Sequence, residues 1–565
     1  MTNAALIVVW GHSPSQSYPV AVWDALKAAK ERGAKIIVVD PRRTKEAEMA
    51  DIWLQIKPGT DLALMLGWLK VLVEEELYDK EFIEKWTVGF PDLKDHVKEV
   101  SLEETARITW IPKDHIVKSA RMYAQTKPAM ITFGLGIDKQ GLNANQTQRA
   151  RGILRALSGN IDVRGGELIG YMGEIKKIVS DYDLQLNETL SPEQKQKQLG
   201  SQQYKLMSYV GWDKIVEAGK KRNLSYWGPP DPDMTACAHP SSVWKAILEE
   251  KPYPVKAMII LGANPLLTLP NPKLIKEALK KLELLVVMDY YLTPSAQLAD
   301  YVFPAASTVE RSDIIVTPVF CVPCPRGIEP LYERRPDYEF WRALGLRCGQ
   351  ETYWKWETIE EVLDYRLAPI GLTFENLLER GVLFAPPEYK KYEPEGFATP
   401  SGKVEISSSI FKDLGYDALP TYREIDWPWK DASSLVLITG SNFLPMHHSE
   451  QRQWASARKL VPDPLATLHP ETAVNLGLKE GDWIEIETPF GQIKQKLTLS
   501  EAIHPRVVDA QHGWWFPEKE GKEPIFFGVF EANANVLCPS EGQYLSPEVG
   551  SWPLTGLPVR VKKAA

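Results

Sequence analysis

Cysteines are scarce in this sequence, and long apolar runs are absent. Five cysteines are scattered over 565 residues, which excludes the dense disulfide framework of a small secreted protein. No run approaches the roughly 20 consecutive apolar residues that span a bilayer, and the first residues do not form a signal peptide. We therefore expect no direct membrane insertion. As it stands, the sequence indicates a cytoplasmic protein; a periplasmic one stays open because an export signal would lie upstream of Met1.

An excess of positive charge is also absent. Lysine and arginine number 66 against 74 aspartates and glutamates, for a formal net charge of −8. Proteins that bind nucleic acids usually carry a basic surface that neutralises phosphates. We therefore expect a small-molecule substrate and no nucleic acid.

Two catalytic signatures are missing as well. The turn Gly-x-Gly-x-x-Gly admits a pyrophosphate in nicotinamide dehydrogenases. It follows neither of the apolar, strand-like runs at 5–10 and 258–261. Gly134 and Gly136 supply only two of the three glycines. Gly-x-Ser-x-Gly does not occur between a strand and a helix, which argues against an α/β-hydrolase.

The sequence does contain an internal duplication. A buried-strand run at 5–10, a turn, a helical segment and a second apolar run at 35–40 form a βαβ unit. The pattern returns at 258–261 and 284–289. Five residues recur at identical spacing: Asp40, Thr44, Ala47, Ala50 and Asp51 in the first copy, and Asp289, Thr293, Ala296, Ala299 and Asp300 in the second.

This duplication predicts two nucleotide sites. Ligands of open parallel sheets bind beyond the carboxyl ends of the strands, where a turn exposes backbone N–H groups. Both copies place a Gly-x-(Ser/Asn)-Pro turn there, at 11–14 and 262–265. The aspartate at the end of each second strand can accept hydrogen bonds from ribose or guanine. Alternatively, two unrelated α/β units share aspartates because loops after strands favour that residue.

The character of the chain changes toward its C-terminus. From about residue 401 short alternating β runs occur, such as Trp483–Thr488 before a turn at 489–491. We predict an α/β fold in which two pseudo-repeated dinucleotide-binding units are capped by a C-terminal β-barrel. The predicted divisions are 1–245 for the first unit with helical insertions, 246–345 for the second, 346–430 for a helical and irregular connection, and 431–565 for the barrel.

Several motifs are more specific. Two of them are Val-Val-Asp-Pro-Arg-Arg-Thr at 38–44 and Lys-Pro-Gly-Thr-Asp-Leu-Ala at 57–63. Four others are the segments at 158–166, 468–473, 512–517 and 533–537. Together they resemble, essentially end to end, the molybdopterin oxidoreductase superfamily of formate dehydrogenases, thiosulfate and polysulfide reductases, dimethyl sulfoxide reductases and acetylene hydratase. The resemblance implies two molybdopterin guanine dinucleotides with molybdenum or tungsten, two-electron redox of a small substrate in anaerobic metabolism, and a double-psi-like barrel as the molybdopterin-dinucleotide-binding domain.

The resemblance also assigns the candidate site residues. Which residues are catalytic is unknown; His448 and His512 are candidates, and an ordinary core or surface role is the alternative for each. The cofactor-binding candidates are Gly11, Ser13, Asp40, Arg42, Thr44, Gly59, Asp61 and Gly134 in the first unit, Gly262, Asn264, Asp289 and Thr293 in the second, and Gly440, His447, Ser449, Asn533 and Asn535 in the cap.

Two features of the superfamily are not found in the sequence. Its members usually begin with a four-cysteine cluster motif and a metal-ligating residue, and neither precedes the first strand here. We expect an N-terminally truncated chain with no metal ligand of its own, a 4Fe-4S cluster only in the missing part, and as partners an N-terminal fragment and an iron–sulfur electron-transfer subunit. Cys321 and Cys324 are expected to be structural, because one pair of thiols does not complete a cluster site.

Two other functions stay open. One is a non-redox enzyme of the acetylene hydratase type, in which the metal activates water. The other is a non-catalytic subunit that only holds the cofactor. The sequence does not distinguish molybdenum from tungsten, and it does not identify the substrate.

Overall fold

The computed structural model describes residues 1–170, 173–179, 184, 189–220, 236–440 and 445–564. The first unit is built on a four-stranded parallel sheet in the order β3-β2-β1-β5. All five residues of β1 are buried, as expected for a parallel strand covered on both faces. The strands of this unit are β1 (Leu6–Trp10), β2 (Lys35–Val39), β3 (Ile52–Leu54), the short β4 (Thr87–Val88) and β5 (Ala129–Phe133).

Helices cover both faces of this sheet. Leu26 and Ala29 of α2 pack on one face, and Leu62, Leu69 and neighbouring residues of α4 pack on the other. The helices of the unit and its insertions are α1 (Pro14–Ser17), α2 (Val22–Glu31), α3 (Lys45–Glu48), α4 (Asp61–Glu74), α5 (Lys80–Trp86), α6 (Phe90–His96), α7 (Leu102–Thr109), α8 (Lys113–Gln125), α9 (Ala144–Leu157), α10 (Pro192–Gln196), α11 (Tyr209–Lys220) and α12 (Pro240–Glu249).

The second unit repeats the arrangement on a smaller scale. Its three parallel strands, in the order β6-β7-β8, are β6 (Ala257–Leu261), β7 (Leu284–Asp289) and β8 (Tyr301–Pro304). They share a core with α12 and with α14 (Pro272–Lys281), and the short α13 (Pro265–Thr268) follows β6. Beyond β8, the strands β9 (Asp313–Val316), β10 (Phe320–Cys324) and β11 (Leu383–Phe384) form a separate small sheet.

The connecting region is helical and irregular. Its Trp429 donates its indole N–H to the carbonyl of Pro558 at 2.9 Å, which attaches the connection to the barrel. The elements of this region are α15 (Asp337–Arg347), α16 (Ile359–Leu367), α17 (Phe374–Arg380), α18 (Tyr392–Glu395), β12 (Val404–Glu405) and α19 (Ser409–Leu414).

The C-terminal region is a closed six-stranded barrel with the order β13-β17-β14-β16-β15-β18. The α/β fold with a C-terminal barrel is therefore confirmed, whereas the division boundaries stay predictions. Within the part of the chain that the structure describes, no helix is long and apolar enough to cross a membrane. The barrel elements are β13 (Leu435–Ile438), α20 (Ala455–Leu460), β14 (Leu465–Leu468), α21 (Pro470–Asn475), β15 (Trp483–Thr488), β16 (Gly491–Leu499), β17 (Val507–Ala510), α22 (Val529–Ala532) and β18 (Leu557–Lys563).

Candidate cofactor site

The two units make the same turn after their first strand. Gly11 has φ +53° and donates its N–H to the carbonyl of Val39 at 2.8 Å. Gly262 has φ +52° and donates to Met288 at 3.1 Å, the equivalent position in the second unit. Glycine tolerates this left-handed backbone without strain. The predicted pair of turns therefore has one geometry.

The hydrogen-bond donor and acceptor that fix the turn occupy opposite positions in the two units. In the first unit, Ser13 donates its hydroxyl to buried Glu46 at 3.2 Å, and Glu46 also accepts from the N–H of Ser15 at 2.7 Å. In the second, the Asn264 side-chain oxygen accepts from the Ser295 hydroxyl at 2.7 Å. The Ser295 hydroxyl accepts in turn from the N–H of Leu266 at 3.1 Å. In the second unit the acceptor, Asn264, lies in the turn and the hydroxyl donor, Ser295, lies in the facing loop. In the first unit the hydroxyl donor, Ser13, lies in the turn and the acceptor, Glu46, lies in the facing loop. A serine can therefore replace the asparagine of the turn.

The segments after the second strands are also equivalent. Thr44 and Thr293 each accept a hydrogen bond from the N–H three residues later, both at 3.3 Å. Asp51 accepts from the N–H of Ile36 at 2.8 Å, and Asp300 accepts from the N–H of Leu285 at 2.7 Å. Thr44, Thr293 and these two aspartates therefore organise the loops through local hydrogen bonds.

Asp40 and Arg42 form a charged group with the barrel in the first unit. Asp40 is buried and accepts from the N–H of Arg42 at 2.8 Å. The Arg42 guanidinium lies 3.7 Å from Asp40 and 3.4 Å from buried Asp509 of β17. Burial raises the pKa of Asp40, and the positive charge of Arg42 opposes that rise. One planar guanidinium is thus held between carboxylates of two domains.

Asp61, Gly59 and Gly134 lie where the backbone is closely packed. Asp61 accepts from the indole N–H of Trp10 at 2.7 Å and from the Gln140 amide, and burial raises its pKa to about 6. Gly59 has φ +85°, and a Cβ there would lie 3.4 Å from Gly556. A Cβ on Gly134 would collide with the backbone of Gly11. Gly134 therefore keeps the loops after β1 and β5 in contact, and Gly59 keeps the loop after β3 close to the loop before β18.

The cap closes on the second unit through two asparagines. Asn533 and Asn535 are buried, and both donate their side-chain amides to the carbonyl of Leu267, at 2.9 and 2.8 Å. Leu267 lies in α13, directly after the Asn264 turn. Asp289, at the end of β7, is half-buried and accepts from the N–H of Tyr290 at 2.6 Å. Burial raises the pKa of Asp289.

The histidines of the cap lie together. His448 and His512 are joined by a ring nitrogen contact of 3.0 Å, and the rings of His447 and His448 are 4.4 Å apart. Burial first, and then the neighbouring His448, lowers the pKa of His512 to about 4. Both imidazole rings are therefore neutral at pH 7. One of the two facing nitrogens then carries a proton and donates it to the other in a hydrogen bond. Ser449 accepts at its carbonyl from the Trp515 indole at 2.9 Å. Gly440 is exposed, and a Cβ built on it would meet no atom of the described residues within 4 Å.

Cys321 and Cys324 are free thiols. Cys321 is buried in β10, and burial raises the pKa of its thiol to about 11. In the described ranges of the chain, no group of three or more histidine, cysteine or acidic residues is placed to hold a metal ion.

Comparisons with known proteins identify the family. The model for molybdopterin oxidoreductases matches residues 1–347, more than half of the chain, and the model for the molydopterin dinucleotide-binding domain matches 435–548. This chain belongs to the molybdopterin oxidoreductase family. The predicted family resemblance is therefore confirmed.

Several members of the molybdopterin oxidoreductase family are similar over nearly the whole chain. Acetylene hydratase of Syntrophotalea acetylenica is 38% identical over 97% of this chain and 76% of its own length. The molybdopterin-containing subunit of thiosulfate reductase from Salmonella typhimurium is 28% identical over 91% and 69%. The solved structure of acetylene hydratase from Pelobacter acetylenicus superimposes with a TM-score of 0.92 at 36% identity, over 100% of this chain and 78% of that one.

The residues around the site fit a molybdopterin cofactor. Gln140 Oε1 and Gln511 Nε2 are buried and have no hydrogen-bond partner within the described residues. Buried polar atoms usually have partners, so these donors and acceptors suit the polar edge of a pterin. They come from the first unit and from the barrel.

Sequence reasoning missed several residues of this site. Glu46 and Ser295 occupy the same position of the two repeats, so aligning the repeats would have found them. Asp509 and Leu267 had no such signal, since their partners lie 467 and 266 residues away in the sequence.

Proposed function

We propose that this chain binds two molybdopterin guanine dinucleotides, which hold one molybdenum or tungsten ion between the units and the cap. The proposal rests on one observation: both units repeat the turn and the strand-end aspartate, and the same barrel contacts both units. The barrel reaches the first copy through Asp509 and the second through Asn533 and Asn535. A paired nucleotide ligand matches this pseudo-symmetry.

The site residues divide into two groups in this proposal. Gly11 and Gly262 expose the backbone to each pyrophosphate, and Asp40 and Asp289 recognise each nucleoside. Arg42 binds the first pyrophosphate as a planar donor. The remaining candidates shape or close the loops: Ser13, Thr44, Gly59, Asp61, Gly134, Asn264, Thr293, Gly440, His447, Ser449, Asn533 and Asn535.

The reaction we propose is two-electron redox of a small substrate. The bound cofactor supplies the redox chemistry, and the chain supplies orientation and proton handling. The neutral His448–His512 pair can pass a proton along its 3.0 Å contact. A 4Fe-4S cluster, carried by an N-terminal fragment or an iron–sulfur subunit, is proposed from the family resemblance as the electron partner.

Hydration without net redox is the second candidate. The 38% identity to acetylene hydratase, an enzyme whose name describes addition of water to acetylene, favours it. The same pair of histidines would then move a proton of the attacking water.

Turnover assays separate these functions. The protein, purified anaerobically from its native host, is tested for dye reduction with formate, for thiosulfate-dependent oxidation of a reduced dye, and for acetaldehyde formation from acetylene. Dye-coupled turnover supports the redox proposal. Acetaldehyde formation without electron transfer contradicts it and supports hydration, and no turnover by fully loaded protein supports a non-catalytic subunit.

A further inference from the structure

Two arginines of the barrel region share a single carboxylate. Arg452 is only 2% exposed and forms no ion pair with any described residue. Its guanidinium donates to two backbone carbonyls, from Nη1 to Glu450 at 2.7 Å and from Nη2 to His512 at 3.2 Å. Arg458 of α20 forms one ion pair, with the exposed Glu518 at 2.7 Å. One positive charge of the two therefore has no counter-charge in the part of the chain that the structure describes.

The surroundings of these two guanidinium groups are apolar. The Cζ atoms of Arg452 and Arg458 lie 5.2 and 4.9 Å from the ring centroid of buried Trp514. The core cluster that contains Trp514 also contains Met446, Ala457, Val461, Phe516 and Ala532. Contact with an aromatic ring offsets part of the cost of burying a cation, but a buried charge without a partner still destabilises the folded state.

Arg452 nevertheless keeps its charge at neutral pH. Burial, and then the nearby charge of Arg458, lower the pKa of Arg452 to about 9. The guanidinium is therefore protonated at pH 7, and its charge has to be balanced by a group that does not belong to the described residues.

Three buried N–H donors of this group have no hydrogen-bond partner among the described residues. They are Arg452 Nε, Arg458 Nη1 and Trp514 Nε1. Buried polar atoms normally have partners, and N–H donors around an unbalanced positive charge suit an anion. A water molecule would accept from such a donor but would leave the charge unbalanced.

We propose that the barrel region binds one small monovalent inorganic anion, such as chloride, among Arg452, Arg458 and Trp514. A monovalent ion matches the single unbalanced charge, and a small ion matches donor atoms that are enclosed by protein. Because Arg452 also binds the carbonyls of Glu450 and His512, the anion fixes the loop at 450 against the loop at 512. The site does not depend on the proposed cofactor, since all of its groups lie in the C-terminal region.

Bromide locates the site directly. The protein, purified from its native host, is crystallised in sodium bromide, and diffraction is recorded at the bromine absorption edge. We expect an anomalous peak within hydrogen-bonding distance of Arg452 Nε and of at least one of the other two donors. An ordered water there, without an anomalous signal, would contradict the proposal.

Thermal unfolding in chloride and in gluconate, at equal ionic strength, tests the site in solution. Chloride should raise the Tm of the wild type, because a ligand that binds only the folded protein stabilises it. Trp514→Phe keeps an aromatic ring and removes the N–H, so the apparent chloride affinity should fall about tenfold.

Two arginine variants separate this site from a general salt effect. Arg452→Met should abolish the difference between chloride and gluconate. Arg347→Met is the matched control and should retain it, because Arg347 is exposed on α15 and likewise donates to a backbone carbonyl, that of Ala343 at 3.2 Å. If Arg452→Met does not fold, Trp514→Phe and the bromide experiment still decide.

Equal Tm values of the wild type in chloride and gluconate would overturn the proposal, as would a chloride effect that survives in Arg452→Met. A phosphate oxygen of a bound dinucleotide in contact with Arg452 would also overturn it, but would support the proposed function. Nucleotide and metal are measured in the same preparations. A bromide peak in protein that carries neither contradicts the proposed function and supports the anion site, and loaded protein without the peak does the reverse.

Discussion

Glu46 performs in the first unit the role that Ser295 performs in the second, and this exchange can be tested. Glu46→Ala leaves the Ser15 N–H without its acceptor, so we expect the free energy of unfolding to fall by about 1–3 kcal/mol. The double variant Ser13→Asn, Glu46→Ser reproduces the pairing of the second unit and should recover most of that loss.

Urea unfolding of Ser13→Asn, of Glu46→Ser and of the double variant measures the coupling between the two positions. Ser13→Asn alone is the control, since it introduces the amide without removing Glu46. Simple additivity of the two single effects would contradict the exchanged pairing.

Asp61 should make stability depend on pH. Burial raises its pKa to about 6 from 3.8, so the folded state favours the neutral acid. The contribution of neutral Asp61 to the free energy of unfolding is fully present below its unfolded pKa, near pH 4, and is lost as the pH rises through 6. Relative to Asp61→Asn, the wild type should lose on the order of 3 kcal/mol between pH 4 and pH 7.5.

Unfolding free energies across that pH range test the expectation, with Asp24→Asn on the exposed side of α2 as the control. A wild-type curve parallel to that of Asp61→Asn would show that the carboxyl is already ionised at pH 4.

His512 should have the opposite pH dependence. Its pKa is lowered to about 4 by burial and by His448, whereas an unfolded histidine titrates near 6.5. The contribution of neutral His512 to the free energy of unfolding is fully present above pH 6.5 and is lost as the pH falls toward 4. On acidification, His512→Gln should lose on the order of 2 kcal/mol less of its free energy of unfolding than the wild type loses. The control His115→Gln, on exposed α8, should lose as much as the wild type.

At the scale of elements, the strands and turns were predictable, but the closure of the cap was not. The apolar runs at 5–10 and 35–40 match β1 and β2 because buried parallel strands leave a local pattern. The contacts by which Asn533 and Asn535 close the cap left none, because both amides donate to the carbonyl of Leu267, 266 and 268 residues away in the sequence.

Those two asparagines should hold α13 against the cap. In the variant Asn533→Ala, Asn535→Ala, amide exchange across Pro265–Thr268 should accelerate about tenfold or more, because a buried carbonyl loses both donors. Hydrogen-exchange mass spectrometry measures it, with Asn475→Ala on exposed α21 as the control. Unaltered exchange in α13 would show that the cap is held elsewhere.

At the scale of the whole molecule, the two units share the turn after the first strand and the loop after the second, but these loops differ in charge. The loop after β2 carries Arg42 and meets Asp509, whereas Tyr291 at the matching position accepts from the Trp454 indole at 2.9 Å. The duplication was visible in the sequence because five residues between Asp40 and Asp51 recur at one constant offset between Asp289 and Asp300. The contacts that bring the barrel onto each unit join distant residues, and only the structure reveals them.

The central claim is that two dinucleotides bind one chain, and the ratio of nucleotide to metal tests it most directly. Protein from the native host is denatured in acid, the released guanosine monophosphate is quantified, and molybdenum and tungsten are measured by mass spectrometry. We expect two nucleotides per metal ion. One nucleotide per metal, or metal without guanosine monophosphate, would contradict it.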